Sequence, residues 1–392
     1  MSSISPSRGF GASKSKGSSV PKDAKPGEVL ISIEADIRQR IAAIPELQEA
    51  IDIKRYLMNW EKKMSQMRLV DKAMVPESIV QAMEAKRLRM NSLNENWSTY
   101  AVHNKIHEIT WDASASNRAY RHSNVEIPTS MKNFMANLAT ESIKYGSRVL
   151  DVGCGTGILF DFLQKLNKPN NPRTPIFQPE SCVGIDLSGE MISIAKNLYP
   201  KVDFKRVDFM EYNGELLKPI PVEQPRDIDS RASTKKPTSK RNFPKASVTQ
   251  PFGNQLSSQP TSPRTTKHAF NTVVFNECFH YFLEPDQAFL HAISLLHHEA
   301  RENTPAATNE SNVKDYDEGS DRSGAIRRVI ISHPKGASNV DMQRRSNELL
   351  VPHVLPDTAT LERYMTQSPI PCRLHTAPDM KAAHYLAIIE VV

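Results

Sequence analysis

The sequence predicts a doubly wound α/β fold, in which an open and mostly parallel sheet has helices on both faces. Residues 148–166 give the first indication: three β-forming residues precede an acid, a loop follows with glycine at every second position, and apolar residues then recur at helical spacing. Three further short runs are predicted to be strands, and each ends in or is followed by a polar side chain, at Asp186, Asp208 and Asn276. A strand, a glycine loop and a helix form the opening unit of such a sheet.

The glycine loop predicts a ligand site at the end of the first strand. Gly153, Gly155 and Gly157 allow a sharp turn and let a ligand approach backbone N–H groups. The dinucleotide-binding fingerprint requires its third glycine one position later, where Ile158 stands. A carboxylate at Asp151, before the loop, would repel a pyrophosphate but suit a ligand that carries a cationic amine.

Taken in order, these residues resemble the motifs of class I S-adenosylmethionine-dependent methyltransferases. The resemblance implies a Rossmann-like, seven-stranded sheet whose last strand is antiparallel, and S-adenosylmethionine as the cofactor. It also implies that the glycine loop holds the amino-acid end of the cofactor, Asp186 the ribose hydroxyls, and Asp208 and Phe209 the adenine. The predicted cofactor-binding residues are Asp151, Gly153, Cys154, Gly155, Gly157, Asp186, Leu187, Met191, Asp208, Phe209 and Asn276.

Two other segments resemble narrower groups within this superfamily. Residues 109–115, Ile-Thr-Trp-Asp-Ala-Ser-Ala, are similar to a segment of ubiquinone and menaquinone methyltransferases that leads into the helix before the first strand. The tract from Val329 to the C-terminus is similar to uncharacterised methyltransferase-like proteins of plastids and cyanobacteria. We expect the ring of Trp111 to belong to the core rather than to contact a substrate.

The composition divides the chain into three parts. Residues 1–27, rich in Ser, Gly, Lys and Pro, are predicted to be a disordered or targeting segment. Residues 28–95 predict a helical extension, because apolar residues repeat in steps of three and four, and Pro45 and Pro76 suit the starts of helices. Residues 96–392 are predicted to form the methyltransferase domain.

Two polar insertions are predicted to interrupt this domain, at about residues 213–267 and 299–325. The chain has a formal net charge of +6, and residues 213–267 hold ten Lys and Arg against four Asp and Glu. The first 28 residues hold five Lys and Arg against two acids. Because the basic excess lies in segments that are predicted not to fold, a folded groove for nucleic acid is not expected.

The sequence also limits the class of protein and its compartment. It has no apolar run long enough to span a membrane and no secretory signal. Its four cysteines are widely spaced, without a Cys-x-x-Cys pair, so we expect no metal site. An intracellular location is expected, cytoplasmic or organellar, since the N-terminal composition also resembles an organelle transit segment such as that of a plastid protein.

Two histidines are candidate catalytic bases because they follow predicted strands at the ligand-binding edge. His280 follows the fourth strand and His333 the fifth, and a base is needed only if the methyl acceptor is a hydroxyl or an acidic carbon. Methyltransferases of nucleobase amines usually carry Asn/Asp-Pro-Pro-Tyr/Phe after the fourth strand, where this chain has residues 276–279, Asn-Glu-Cys-Phe. A small-molecule acceptor is therefore favoured.

Two functions stay open at this point. The first is a methyltransferase that transfers a methyl group from S-adenosylmethionine to an unidentified, small-molecule acceptor. The alternative is a methyltransferase-like scaffold or assembly protein, which would bind a protein partner through the helices of residues 28–95. We favour packing of these helices on their own domain, or capping of the active site, because their heptads are few.

Overall fold

A computed structural model describes residues 26–68, 71–72, 74–93, 97–146, 148–166, 177–214, 270–296 and 326–392. The predictions for residues 1–25, for the first insertion beyond residue 214 and for residues 299–325 lie outside this part of the chain. Within the described ranges, no helix has both the length and the apolar content that crossing a membrane requires.

Among the described residues, five helices precede the sheet. They are α1 (Pro26–Ala42), α2 (Pro45–Gln66), α3 (Glu77–Leu93), α4 (Thr99–Asn124) and α5 (Thr129–Ser142). The apolar faces of the first three converge with α4 on a separate small core, built from Leu47, Ala50, Ile51, Ile53, Met90, Leu93, Val102, Ile106 and Ile109. These helices therefore pack on their own chain.

Seven strands in the described part of the chain form one sheet in the order β3-β2-β1-β4-β5-β7-β6. They are β1 (Val149–Val152), β2 (Val183–Asp186), β3 (Asp203–Arg206), β4 (Thr272–Asn276), β5 (Arg327–His333), β6 (Cys372–Thr376) and β7 (Tyr385–Val391). Strands β1 to β5 are parallel, whereas β7 runs antiparallel to both β5 and β6. The predicted Rossmann-like fold with an antiparallel last strand is confirmed.

The strand order reverses between β1 and β4, which lie side by side although helices and two strands separate them in sequence. Asp151 pairs in register with Gly184 of β2 on one side and with Val274 of β4 on the other. In open α/β sheets, the carboxyl ends of the strands at such a reversal leave a crevice for a ligand. The fold therefore directs attention to the residues that follow β1, β2 and β4.

Alternate residues of the strands pack on opposite faces of the sheet. One face is covered by α5, α6 (Ile158–Leu166) and α7 (Gly189–Leu198), against which Val149 and Val274 pack. The other is covered by α8 (Pro285–Leu296), α9 (Gly336–Ser346) and α10 (Thr358–Gln367), against which Leu150 and Phe275 pack. Both faces of the central parallel strands β1, β2, β4 and β5 are buried, as expected for this architecture.

A buried ion network holds the sheet at the amino ends of its parallel strands. The guanidinium of Arg328 in β5 is fully buried and pairs with Glu390 of β7 at 2.7 Å and with Glu141 of α5. Glu390 also accepts from Arg373 of β6 at 2.6 Å. The network links three strands and a helix at the edge opposite the predicted ligand site.

Candidate active site

A cavity of about 600 Å³ lies at the carboxyl ends of β1, β2 and β4. Its lining includes Asp151, Gly155, Asp186 and Asn276 from the strand ends and the loops that follow them. Helix α4 crosses these strand ends and lines the cavity along much of its length, so we call it the roof helix. Volumes of this order are typical of sites for small molecules.

The three glycines of the loop have different surroundings. All have positive φ, +64° at Gly153, +54° at Gly155 and +87° at Gly157. A Cβ atom at Gly155 would meet no atom within 4 Å, whereas one at Gly157 would lie 2.8 Å from the ring of Tyr199. Gly155 is therefore open to a ligand. Gly157 is not on the cavity wall, contrary to its predicted cofactor contact, and its lack of a side chain admits Tyr199 instead.

Gly153 and Cys154 also lie on the cavity wall, but with packing roles that the sequence did not indicate. A Cβ atom at Gly153 would lie 2.6 Å from Cβ of Cys278, whose thiol donates to the carbonyl of Val152 at 2.9 Å. The N–H of Cys154 donates to the carbonyl of Ile185 at 3.0 Å. The loop is thereby fixed between the ends of β2 and β4.

Asp151 presents a buried carboxylate to the cavity. The residue is 2% exposed, and its Oδ1 atom has no hydrogen-bond partner among the described residues. Burial, with a further contribution from Asp186, raises the pKa of this carboxyl well above its usual value. A cationic amine next to Oδ1 would supply the missing partner and favour the ionised form. The Asp151 carboxylate is thus an acceptor that fits the ammonium group at the amino-acid end of S-adenosylmethionine.

Asp186 lies at the end of β2 and is held by the backbone. Its Oδ2 accepts from the N–H of Gly155 at 2.9 Å, and its Oδ1 accepts from the N–H of Ser188 at 2.8 Å. Burial nevertheless raises the pKa of the carboxyl, against the opposite effect of these two hydrogen bonds. Each oxygen has a second lone pair that can accept from a hydroxyl. Leu187 and Met191 line the cavity beside it.

Asp208, after β3, is already engaged by the roof helix. Its Oδ2 accepts from the hydroxyl of Tyr100 at 2.6 Å and from Nδ2 of Asn104 at 2.5 Å. Phe209 is buried, lines the cavity, and contacts the edge of Phe275. An adenine amine at Asp208 would therefore share its acceptor with two side chains that sequence reasoning missed.

The roof helix carries one polar stripe that attaches it to the sheet. After Tyr100 and Asn104, Glu108 pairs with Arg206 of β3 at 3.0 Å. One turn further, Oδ1 of Asp112 accepts from the hydroxyl of Ser188 at 2.5 Å and from the N–H of Glu190 at 3.2 Å. Residues at intervals of four share one helix face, so this spacing could have revealed the stripe.

A second stripe of the roof helix faces the ring-lined part of the cavity. His103, His107, Trp111 and Arg118 all line it. The Trp111 ring lies 5.4 Å from that of Tyr281, and the guanidinium of Arg118 lies 4.5 Å from the Trp111 ring. The expectation that Trp111 belongs to the core is wrong, because the residue is half-buried on the cavity wall.

The two roof histidines are neutral at physiological pH. Nε2 of His103 lies 2.6 Å from the carbonyl oxygen of Tyr281, and burial lowers its pKa to about 4. The ring of His107 lies 4.3 Å from that of His103. Burial, followed by the charges of His103 and His280, holds the pKa of His107 well below its usual value. Nε2 of His107 has no hydrogen-bond partner in the described part of the chain.

The predicted bases His280 and His333 do not reach the cavity wall. Both are buried, and their ring centroids lie 5.4 Å apart. His280 lies in the 3₁₀ turn Phe279–Tyr281, where successive side chains point about 120° apart, and Tyr281 lines the cavity instead. After His333 the lining residues are Pro334 and Lys335. This geometry does not support a base role for either histidine.

Residues 120–301 match the sequence model of a family described as a methyltransferase domain. The matched range contains the glycine loop, Asp186, Asp208 and Asn276. This part of the chain is therefore similar to a methyltransferase domain. S-adenosylmethionine is the cofactor that such a domain implies, as the sequence motifs predicted. Among the described residues, no group of three or more His, Cys, Asp or Glu side chains is arranged to hold a metal ion.

Similar proteins include methyltransferases of diverse sources. A protein of Invertebrate iridescent virus 6, named as a provisional methyltransferase (235L), is 37% identical over 84 residues, which are 21% of this chain and 27% of the viral protein. Magnesium protoporphyrin IX methyltransferase from Synechocystis PCC 6803, solved with bound SAH, is 10% identical with a TM-score of 0.40, covering 74% of this chain and 100% of that one. The plantazolicin methyltransferase BpumL is 13% identical with a TM-score of 0.37, covering 74% and 96%.

Proposed function

We propose that this protein is an S-adenosylmethionine-dependent methyltransferase that acts on a small-molecule acceptor. The observation that carries the proposal is the buried carboxylate of Asp151, whose Oδ1 lacks a partner, beside the open glycine Gly155 on the wall of one cavity. An unpartnered carboxylate is costly to bury. A bound ligand with an ammonium group would remove that cost, and the amino-acid end of S-adenosylmethionine has such a group.

The side chains around the cavity suit a reaction that depends on positioning. Bound S-adenosylmethionine supplies a methyl group that its sulfonium has already activated. Asp151 and the N–H groups of the glycine loop would hold one end of the ligand, Asp186 its ribose and Asp208 its adenine. The roof helix would exclude water and align the acceptor with the methyl group, and alignment contributes much of the acceleration in such displacements.

The remaining cavity wall supports a small and largely apolar acceptor. Beyond the predicted cofactor residues, the lining consists mainly of apolar side chains and includes Ile33, Ile127, Met131, Tyr281 and Phe282. Ile33 belongs to α1, so the N-terminal helices contribute to the same cavity. This contribution gives those helices a role inside the methyltransferase domain, and it does not favour the alternative of a scaffold protein.

Calorimetric titration of the full chain with S-adenosylhomocysteine tests the proposal. Asp151→Asn and Asp186→Asn should each weaken binding at least about tenfold, because each removes a charged hydrogen-bonding group. Asp161→Asn is the matched control: Asp161 lies on α6 outside the cavity lining, in an exposed pair with Lys165. Absence of binding at millimolar ligand by folded protein, or equal weakening by the control, would contradict the proposed function.

A further inference from the structure

The cavity is larger than the part that the cofactor residues line. Under the proposed function, the cofactor extends from the glycine loop past Asp186 to Asp208, over β1, β2 and β3. The wall beyond this path follows β4 and faces the second stripe of the roof helix. Its ring-bearing residues are His103, His107, Trp111, Tyr281 and Phe282. This region is where an acceptor would lie, and we call it the ring-lined subsite.

The rings of this subsite are packed against one another around Tyr281. The centroid of Tyr281 lies 5.1 Å from that of His107 and 5.4 Å from that of Trp111. Rings at such distances form a continuous apolar wall whose faces and edges suit another planar ring. A flat aromatic compound would therefore bury more contact area here than a flexible chain of the same size.

His107 gives this wall one polar group. The residue is 3% exposed and lines the cavity, its Nε2 atom is itself buried and makes no hydrogen bond within the described residues, and the backbone of Leu350 acts on its ring. The titratable groups that act on it are His103, His280 and Lys54, and all of them oppose a positive charge on the ring. A neutral imidazole has one nitrogen that accepts a hydrogen bond, so it favours a ligand that can donate one.

We propose that the ring-lined subsite binds a neutral aromatic hydroxyl compound as the methyl acceptor. The ring of this compound would pack against Trp111 and Tyr281, and its hydroxyl would donate a hydrogen bond to the imidazole of His107. The inference rests on the proposed function for the role of acceptor. The preference of the subsite for a phenolic ring is a property of the chain that can be measured by itself.

Fluorine NMR of the full chain, saturated with S-adenosylhomocysteine, tests this preference. The probes are para-fluorophenol, para-fluorotoluene, which lacks the oxygen, and para-fluoroanisole, which keeps the oxygen but has no O–H to donate. The phenol should bind about tenfold more tightly than either of the others, as expected for one buried hydrogen bond. Equal affinities of the three probes for wild-type protein would overturn the proposal without any need for a variant.

A pair of substitutions then assigns the preference to His107. His107→Phe keeps a ring of similar size, so it should abolish the advantage of the phenol and leave the affinity for fluorotoluene unchanged. His107→Gln keeps an acceptor and should restore part of the advantage. His375→Phe is the control, because His375 lies in β6, away from the cavity. An advantage that persists in His107→Phe would exclude His107 as the recognition group.

Calorimetry with S-adenosylhomocysteine separates this inference from the proposed function. If wild-type protein binds S-adenosylhomocysteine but not the phenol, the function stands and the acceptor class is wrong. If it binds neither, the proposed function fails as well. If the phenol is preferred by a chain that does not bind S-adenosylhomocysteine, the subsite exists but does not serve methyl transfer.

Discussion

At the glycine loop, neighbouring residues of one type serve different purposes. Gly155 has positive φ and open space where a side chain would be, whereas Gly157 has positive φ and an aromatic ring in that space. Backbone strain is common to both positions, since a residue other than glycine pays for a left-handed conformation. The two positions differ in what an added methyl group would enter. At Gly155 it would enter the open space left for a ligand, and at Gly157 it would overlap the ring of Tyr199 in the core.

Alanine substitutions at these two glycines should therefore have different main effects. Gly155→Ala should weaken S-adenosylhomocysteine binding about tenfold or more while costing about 1 kcal/mol of unfolding free energy, the strain of a left-handed alanine. Gly157→Ala should lower the unfolding free energy by a further 1–3 kcal/mol or so, because its methyl group would overlap the Tyr199 ring. Chemical denaturation and calorimetry on both variants check this, and a reversed order of effects would contradict it.

The sequence indicated some site residues because strand ends have a simple pattern. Asp151 and Asp186 follow short apolar runs, and parallel strands bring such positions to one edge. His280 also follows a strand, yet it lies behind the cavity wall, because the 3₁₀ turn rotates Tyr281 rather than His280 to the front. The sequence does not show which side chain of a turn faces the cavity. A position directly after a strand was therefore not sufficient to identify a site residue.

At the scale of elements, the roof helix is the feature that the sequence described least well. The segment around Trp111 was interpreted as leading into a helix, but it lies in the middle of the 26-residue helix Thr99–Asn124. Its polar stripe reaches Asp208, Arg206 and Ser188, so one helix contacts residues at or just after the ends of two strands, β3 and β2. Those contacts are distant in sequence, and local periodicity does not encode them.

Breaking one contact of the polar stripe should loosen the roof helix. Asp112→Ala removes the acceptor for Ser188 and for the N–H of Glu190, and should reduce the unfolding free energy by about 1–3 kcal/mol. Amide hydrogen exchange in α4 should become faster, and S-adenosylhomocysteine should dissociate faster. Asp341→Ala, which removes an exposed pair with Arg345 on α9, is the control and should change neither rate.

At the scale of the whole molecule, the amino ends and the carboxyl ends of the parallel strands bury different kinds of polar group. The edge of the amino ends buries a paired network, in which Arg328 contacts two glutamates. The opposite edge, with the cavity, holds more of the described buried groups that lack hydrogen bonds, namely Asp151, His107 and both ring nitrogens of His280, whereas at the amino ends Nε of Arg328 lacks one. Such concentrations of unsatisfied groups are typical of functional sites, and they make this edge sensitive to pH.

The buried histidines His103 and His280 should lower the stability of the fold as the pH falls below 6.5, while the raised pKa of the buried Asp151 carboxyl acts in the opposite direction. Burial lowers the pKa of His103 to about 4 and, with His333, that of His280 to about 3, while the unfolded chain has the usual value of 6.5. Between these values the unfolded state binds more protons than the folded state, so the unfolding free energy decreases toward acid pH. A shift of this size corresponds to about 3 kcal/mol for His103 at full protonation.

Denaturation curves between pH 7.5 and pH 4.5 or so would measure this loss. His280→Leu should reduce the slope of unfolding free energy against pH, since it removes one buried imidazole. Met342→Leu, at an exposed position on α9, should leave the slope unchanged because neither side chain titrates. A slope that is the same in wild type and His280→Leu would show that other groups cause the acid sensitivity.

The two outermost strands affect how copies of this chain behave in concentrated solution. Strand β3 is four residues long and carries Asp203 and Lys205, while β6 at the other margin carries Arg373 and His375. Short outer strands with charged side chains disfavour the addition of a strand from a neighbouring molecule, which would extend the sheet. At high concentration, these two strands therefore disfavour the edge-to-edge stacking from which fibrous aggregates grow.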